Sequence, residues 1–448
     1  MNAAKDYRNV ADEVAASITA GTLRPGDRLP PQRDFARRHG IADSTAARVY
    51  RELGRRGLTV GEVGRGTFVR ATAPAVAPAL TEPAAGRIDL ELNYPVVPGQ
   101  SALLADGLAG LLRPDTLAGA LRPVGATGTA AARDSAAGLL TRGDWRPDPE
   151  RVLFAGNGRQ AVSAALAALV PRGGRLGVEE LTYPVVKAVA ARLGITLVPL
   201  ALDGAGLVPE ALARAHAETP LDAVYVQPRL HNPLALSMPA HRVEELAGVL
   251  LRLGLPVVED AVWSFLHDDL PPLAAYVPER TVLIDSLSKR VAPGLTVGFA
   301  VTPAALAGDV TAALRSGGWT PAGYALEAMD RWQRAGTLRA LTEAKQRDAA
   351  HRQRLAARHL ADFTVRTDPR SYHCWWELPP PWRADTFVAA AARQGIAVVP
   401  SAAFTASPHQ APNAVRLGLA TPHPDTLDRA LTTLTALARS RPEDLVAD

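Results

Sequence analysis

The chain has 448 residues, 47% hydrophobic and 21% charged, the composition of a soluble globular protein with room for two or three domains and a large core. It has no apolar run of membrane-spanning length, its start (MNAAKDYRNV) is unlike a secretory signal, and its single cysteine, Cys374, excludes an internal disulfide, so a cytoplasmic protein without a membrane partner is expected. The net charge of +4 is uneven: residues 1–71 carry +5 and the remainder −1, which assigns any polyanion partner to the first seventy residues.

The spacing of Val10, Val14 and Ile18 predicts a first helix from Tyr7 to Ala20. GTLRPGDRLP breaks the pattern. PQRDFARRHG predicts a second helix, with proline at its start and Gly40 after its end. After a short turn, Ala46, Val49, Tyr50 and Leu53 form the buried stripe of a third helix, and the pair fits a helix-turn-helix. LTVGEVGRGTFVR alternates and carries three glycines, the pattern of a two-stranded wing with Arg65 at its tip. The stretches LRPGDRLPPQRDFA, TAARVYRELGRRGL and GRGTFV resemble the winged helix of the GntR family of transcription regulators. That resemblance implies contacts to operator DNA from Arg33, Ser44, Thr45, Arg48, Arg65 and Gly66. Asp43 departs from the pattern. It is either a helix cap or a carboxylate able to accept from cytosine N4.

Residues 72–88 are rich in alanine and proline and read as a semi-rigid linker, able to span about 50 Å in polyproline-like form. From residue 89 onward, RVLFAG, RLGVEE, TLVPL, AVYVQP, PVVED and TVLIDS alternate with helical stretches, which predicts a doubly wound α/β sheet whose functional residues lie at the carboxyl ends of the strands. The expected division is a large part at about 89–318 and a smaller C-terminal α+β part at about 319–448, joined by a long helical stretch. SYHCWWELP, IAVVPS and AVRLGLA supply strands of the smaller part. His373 and Trp375 in them are read equally as pocket or core residues.

The strand ends carry a sequence of chemical groups. A glycine turn opens a helix with Gly158, Arg159 and Gln160, whose free N–H groups suit a phosphate. Tyr183, Asn232, Asp260 and Lys289 follow at later strand ends. A lysine can condense with an aldehyde, a carboxylate can hold a pyridine nitrogen protonated, an amide can bond a phenolic oxygen and an aromatic ring can stack. Together they describe a site for pyridoxal 5′-phosphate (PLP).

This region resembles the fold type I aminotransferases, and with the winged helix in front the chain resembles a MocR-type member of the GntR regulators. The resemblance implies that Lys289 carries PLP as a Schiff base and is the catalytic residue of that fold. It implies that Ser286 and Ser288 give hydroxyls to the phosphate, that Asp260, Asn232 and Tyr183 bind the ring, and that Arg416 in NAVRLGLA binds an effector carboxylate. Trp263 stands where the pattern has a tyrosine, and its indole N–H donates but accepts no proton. Thr296 replaces the usual phosphate arginine, with Arg290 the candidate substitute. Leu234 and Ala235 follow the Asn-Pro pair, and a tyrosine usual near RPVGATG is missing. The expected protein is a homodimeric, PLP-dependent regulator sensing PLP or an amino compound. Its alternatives are a working aminotransferase with an accessory DNA domain and a regulator whose PLP site has decayed.

Overall fold

Three helices and a hairpin form the first unit of the computed structural model, which describes residues 7–19, 22–23, 26–55, 58–62, 66–69, 87–407 and 411–442. Helix α1 (Tyr7–Thr19) packs through Val10 and Val14 on α2 (Gln32–His39) and α3 (Asp43–Arg55), which contribute Phe35, Ala36, Val49 and Leu53 to one small core. The rings of Phe35 and Tyr50 meet edge to face at 5.1 Å. Strands β1 (Thr59–Glu62) and β2 (Gly66–Val69) pair antiparallel as the wing. Asp43 is the first helical residue of α3 and lies in its first turn, one residue beyond the cap position. Arg65, Ala20 and linker residues 72–86 lie outside the described residues.

In the second unit β3 (Ile88–Asp89) comes first, followed by a seven-stranded sheet. Its strands are β4 (Val152–Ala155), β5 (Arg175–Glu179), β6 (Thr196–Leu200), β9 (Ala223–Val226), β10 (Val257–Asp260), β11 (Thr281–Ser286) and β12 (Gly298–Val301); a short hairpin, β7 (Leu202–Asp203) and β8 (Gly206–Leu207), lies outside it. The order is β4-β12-β11-β10-β9-β5-β6, and β12 alone runs antiparallel to its neighbours. The expected doubly wound sheet is a mixed one. GFAV at β12 has four residues and no alternation because it is buried on both faces. Helices cover both faces, with Phe154, Phe299 and Trp332 in the core of one side and Val162, Leu166 and Val186 in that of the other.

The long helical stretch is two helices. Gly336, at φ +76°, lies between Gly323–Arg334 and Thr337–His359, a left-handed position that favours glycine. The first helix packs Leu326, Met329 and Trp332 into the large part's core. The second starts in the same core with Leu338 and Leu341 and ends in the smaller core with Leu355 and Ala356. The smaller part contains β13 (Val365–Arg366), β14 (His373–Glu377), β15 (Ile396–Ala397), β16 (Val399–Pro400), β17 (Ala414–Gly418) and a last helix, Pro424–Arg439. Its sheet runs β13-β14-β17-β16, and β15 pairs in parallel with β3, so the chain's entry from the linker is built into the smaller part. Among the described residues no helix is long and apolar enough to cross a membrane.

Two buried features tie this frame to the strand ends. A Cβ added to Gly298 would lie 2.3 Å from the backbone oxygen of Asn157, so β12 approaches the turn after β4 as only glycine allows. Lys345, fully buried on the linking helix, donates to the backbone oxygens of Lys289 and Val291 at 2.9 and 2.8 Å. Burial pushes its amine down to about 7.

Gly298→Ala should destabilise the protein by about 1–3 kcal/mol in chemical denaturation, because backbone on one side cannot give way. Above about pH 7 folded Lys345 has released a proton that the unfolded chain keeps until about 10.5. Wild-type stability relative to Lys345→Met should therefore rise with pH across that window, by up to about 1.4 kcal/mol per unit. Urea titrations at stepped pH check this; a flat difference would contradict the neutral amine.

Candidate functional site

The carboxyl ends of β4, β9, β10 and β11 converge on a cavity of about 230 Å³. Of the expected residues, Gly158, Arg159, Tyr183, Asn232, Asp260, Trp263, Ser286, Ser288, Lys289 and Arg416 line it. Gln160 and Arg290 are not among its lining residues. Arg290 is buried against Asp285 at 2.8 Å, beside Arg142, with its guanidinium 4.9 Å from the Phe265 ring. It therefore leaves the place of the missing phosphate arginine unfilled. Thr296 at that place shares a 2.8 Å hydrogen bond with the Ser288 hydroxyl. Neither His373 nor Trp375 lines the cavity, and both are buried.

At one end of the cavity the helix Gly158–Leu169 begins. Asn157 caps it by accepting from the Gln160 amide at 3.0 Å. The first amides of a helix have no partner one turn earlier, so those of Gly158 and Arg159 remain available at the cavity wall. A Cβ on Gly158 would meet the Ser286 hydroxyl at 2.9 Å, and its absence leaves a cradle there. Arg159 hydrogen-bonds Tyr183 and reaches the Tyr94 hydroxyl at 3.4 Å.

Asp260 is held at the end of β10. Its Oδ2 accepts from Tyr225 at 2.6 Å and from Gln227 at 3.1 Å, and its Oδ1 accepts from the Val262 amide at 3.1 Å. Burial raises this carboxyl from its ordinary value, and those donors oppose the rise. Gln227 also accepts from the Asn232 amide at 3.2 Å, coupling the carboxylate to the neighbouring amide residue. Tyr225 and Gln227 were not singled out from the sequence. Their two-residue spacing at the end of AVYVQP places both on one face of the strand, and that was the available signal.

Lys289 lies on the single-turn helix Leu287–Arg290 after β11. Its Nζ donates to the Asn93 oxygen at 2.7 Å, 3.9 Å from the centre of the Tyr94 ring and 5.2 Å from that of Trp263. Burial first, then repulsion from Arg159, Arg416 and Lys345, pushes its amine well below the usual lysine range. A neutral amine is the nucleophilic form.

Arg416 on β17 closes the opposite wall. Its guanidinium donates to the Glu91 backbone oxygen and to Asn232 Oδ1 at 3.4 Å, and burial lowers it to about 10. Its Nε is buried without a hydrogen-bond partner, as is Nδ2 of Asn93. Glu91, Asn93 and Tyr94 also line the site, and their irregular backbone gave no period for the sequence to show. In the first unit Arg33, Ser44 and Arg48 are exposed, Thr45 and Gly66 half-buried.

Residues 122–434 match the model of the aminotransferase class I and II family, and residues 6–69 that of bacterial regulatory proteins of the gntR family. The chain is 28% identical over 419 residues to the uncharacterized HTH-type transcriptional regulator YdeF of Bacillus subtilis, spanning 93% of this chain and 90% of that one. It is 26% identical to the HTH-type pyridoxine biosynthesis transcriptional regulator PdxR of Corynebacterium glutamicum, spanning 79% and 78%. Among solved structures, N-succinyldiaminopimelate aminotransferase from Mycobacterium tuberculosis superposes with a TM-score of 0.68 at 26% identity, over 79% of this chain and 94% of that one. The chain belongs to the aminotransferase class I and II family, and carries that domain behind a GntR-family winged helix.

Proposed function

We propose that this protein is a DNA-binding transcription regulator that holds PLP through Lys289 and responds to PLP or to an amino compound. The observation that carries the reading is one cavity that joins a buried lysine amine, a carboxylate held by three hydrogen bonds and an open helix start, in a chain headed by a regulator's winged helix. These residues fit PLP in kind. The Gly158–Ser286 cradle and the amides beside it suit the phosphate, Asp260 suits the pyridine nitrogen, Asn232 and Trp263 suit the ring oxygen, and Tyr183 suits a ring face. When bound, PLP supplies an electrophilic carbon and an electron-withdrawing ring.

The chain's own residues set up that chemistry. Desolvation, and after it the cations around the site, favour loss of the proton from the Lys289 nitrogen. Tyr225 and Gln227 fix the direction of Asp260. Arg416 has an unpartnered donor for a carboxylate at the other end. With Thr296 in place of an arginine and Arg290 turned to Asp285, the phosphate end depends on backbone amides, hydroxyls and Arg159. That is a weaker hold, suited to a sensor that gains and loses its ligand. The name of PdxR, a regulator of pyridoxine biosynthesis, agrees with PLP as the signal.

The protein acts as a homodimer on operator DNA. Leu112 and Leu121 are 71% and 84% exposed on the large part, and a second copy would cover them. Arg33 and Arg48 meet phosphates or base edges, and Ser44, Thr45, Arg65 and Gly66 are the further contacts.

Borohydride reduction of the PLP-loaded protein followed by peptide mapping should place the phosphopyridoxyl group on Lys289, and Lys289→Ala should lose the visible absorbance. A label on another lysine would refute the site. Arg33→Ala and Arg48→Ala should weaken operator binding and flatten its salt dependence by about one unit of slope per lost phosphate contact. Unchanged affinity across salt concentrations would remove this face from the DNA interface. Turnover of an amino donor with a keto acceptor by the purified protein would favour the enzyme over the sensor.

A further inference from the structure

Residues 91–94, just after the linker and β3, cross from the smaller part to the mouth of the cavity in irregular backbone. On the small-part side, Thr421 donates to the Leu92 oxygen at 2.8 Å and accepts from the Tyr94 amide at 3.4 Å, while Asn93 Oδ1 accepts from the Ala420 amide at 3.1 Å. On the large-part side, the Asn93 backbone oxygen accepts from Lys289 Nζ at 2.7 Å, Tyr94 lies under the same amine, and its hydroxyl meets Arg159. The segment thus bridges the two parts, and its hold on the large part uses the groups assigned to the ligand.

The smaller part also bears the winged helix. The Arg383 guanidinium lies 3.8 Å from the Phe68 ring of the wing, and Gly26 lies against Thr386. A change at the cavity that frees the smaller part therefore frees the surface on which the DNA-reading unit rests.

We propose that residues 91–94 are a latch whose catch is the Lys289 amine, so that PLP binding unlatches the smaller part and the winged helix resting on it. The proposal rests on the reading of Lys289 as the PLP anchor and adds how occupancy is passed on. In the covalent step the Lys289 nitrogen attacks the PLP aldehyde carbon. A C=N bond replaces C=O, and the oxygen leaves as water with both hydrogens of the neutral amine. The donor that held the Asn93 oxygen is then gone. An effector carboxylate acts on the same segment, because pairing with Arg416 competes with the Glu91 oxygen. The latch is closed in the absence of ligand and open in its presence, and a ligand shifts the equilibrium only through this difference.

Hydrogen–deuterium exchange of the full-length protein, followed on peptides covering residues 88–94, tests the latch. PLP is the probe and visible absorbance records its uptake. Wild type with PLP should exchange there about tenfold faster than without it, the scale set by one lost hydrogen bond. Lys289→Ala, without PLP, should match the fast rate and ignore added PLP. Thr421→Val, which removes the anchor on the other side and lies outside the cavity lining, should also exchange fast without PLP. Uptake of PLP with unchanged or slower exchange would overturn the latch and leave the PLP site standing. So would Lys289→Ala or Thr421→Val exchanging as slowly as ligand-free wild type. Absence of any PLP absorbance in the wild type would overturn the site and the latch together.

Discussion

Burial, and then the charges of Arg159, Arg416 and Lys345, oppose an ammonium in a pocket walled by Tyr94 and Trp263, and that setting pushes the amine of Lys289 well below the usual lysine range. Most of the architecture around the cavity serves to hold this arrangement. The linking helix brings Lys345 under the turn that carries Lys289. The smaller part contributes Arg416 from β17. The segment after the linker contributes an acceptor and a ring. A single parallel sheet with its helices could position the lysine, but not these neighbours, which come from parts of the chain separated by as much as 325 residues.

The opposite end follows a similar logic with charge reversed. A buried carboxylate is costly unless it is bonded, and Asp260 has two side-chain donors and one backbone amide. Tyr225 and Gln227 come from the adjacent strand, so the parallel pairing of β9 with β10 decides the aim of the carboxylate. Among the departures from the aminotransferase pattern, the replacement of an arginine by Thr296 concerns the phosphate end. Arg290, one residue after the lysine, turns to the opposite side and joins a buried cluster with Asp285 and Arg142.

Much of this was legible in the sequence. The helices of the winged unit follow from apolar spacing, a proline at one start and glycine at one end, all of them local signals. The strands of the large sheet read as short apolar runs, and the residues just beyond them fell in an order with chemical sense. Six of the residues singled out that way, with four more that the aminotransferase resemblance implied, line a single cavity. The one strand of the large sheet that escaped, β12, is a four-residue apolar run like β4 and β9, lying close behind a Pro-Gly turn.

The sequence by itself determined the local elements, the chemical inventory at the strand ends and the basic character of the first unit, because each depends on neighbours within a few residues. Only the tertiary structure decided that Arg290 faces away from the cavity and Tyr94 faces into it, that Lys345 is buried beneath Lys289, and that β3 belongs to the smaller part although it precedes the large one. Those outcomes depend on which distant backbone meets a side chain, and burial and charge act between such neighbours at distances in space that spacing along a chain does not encode.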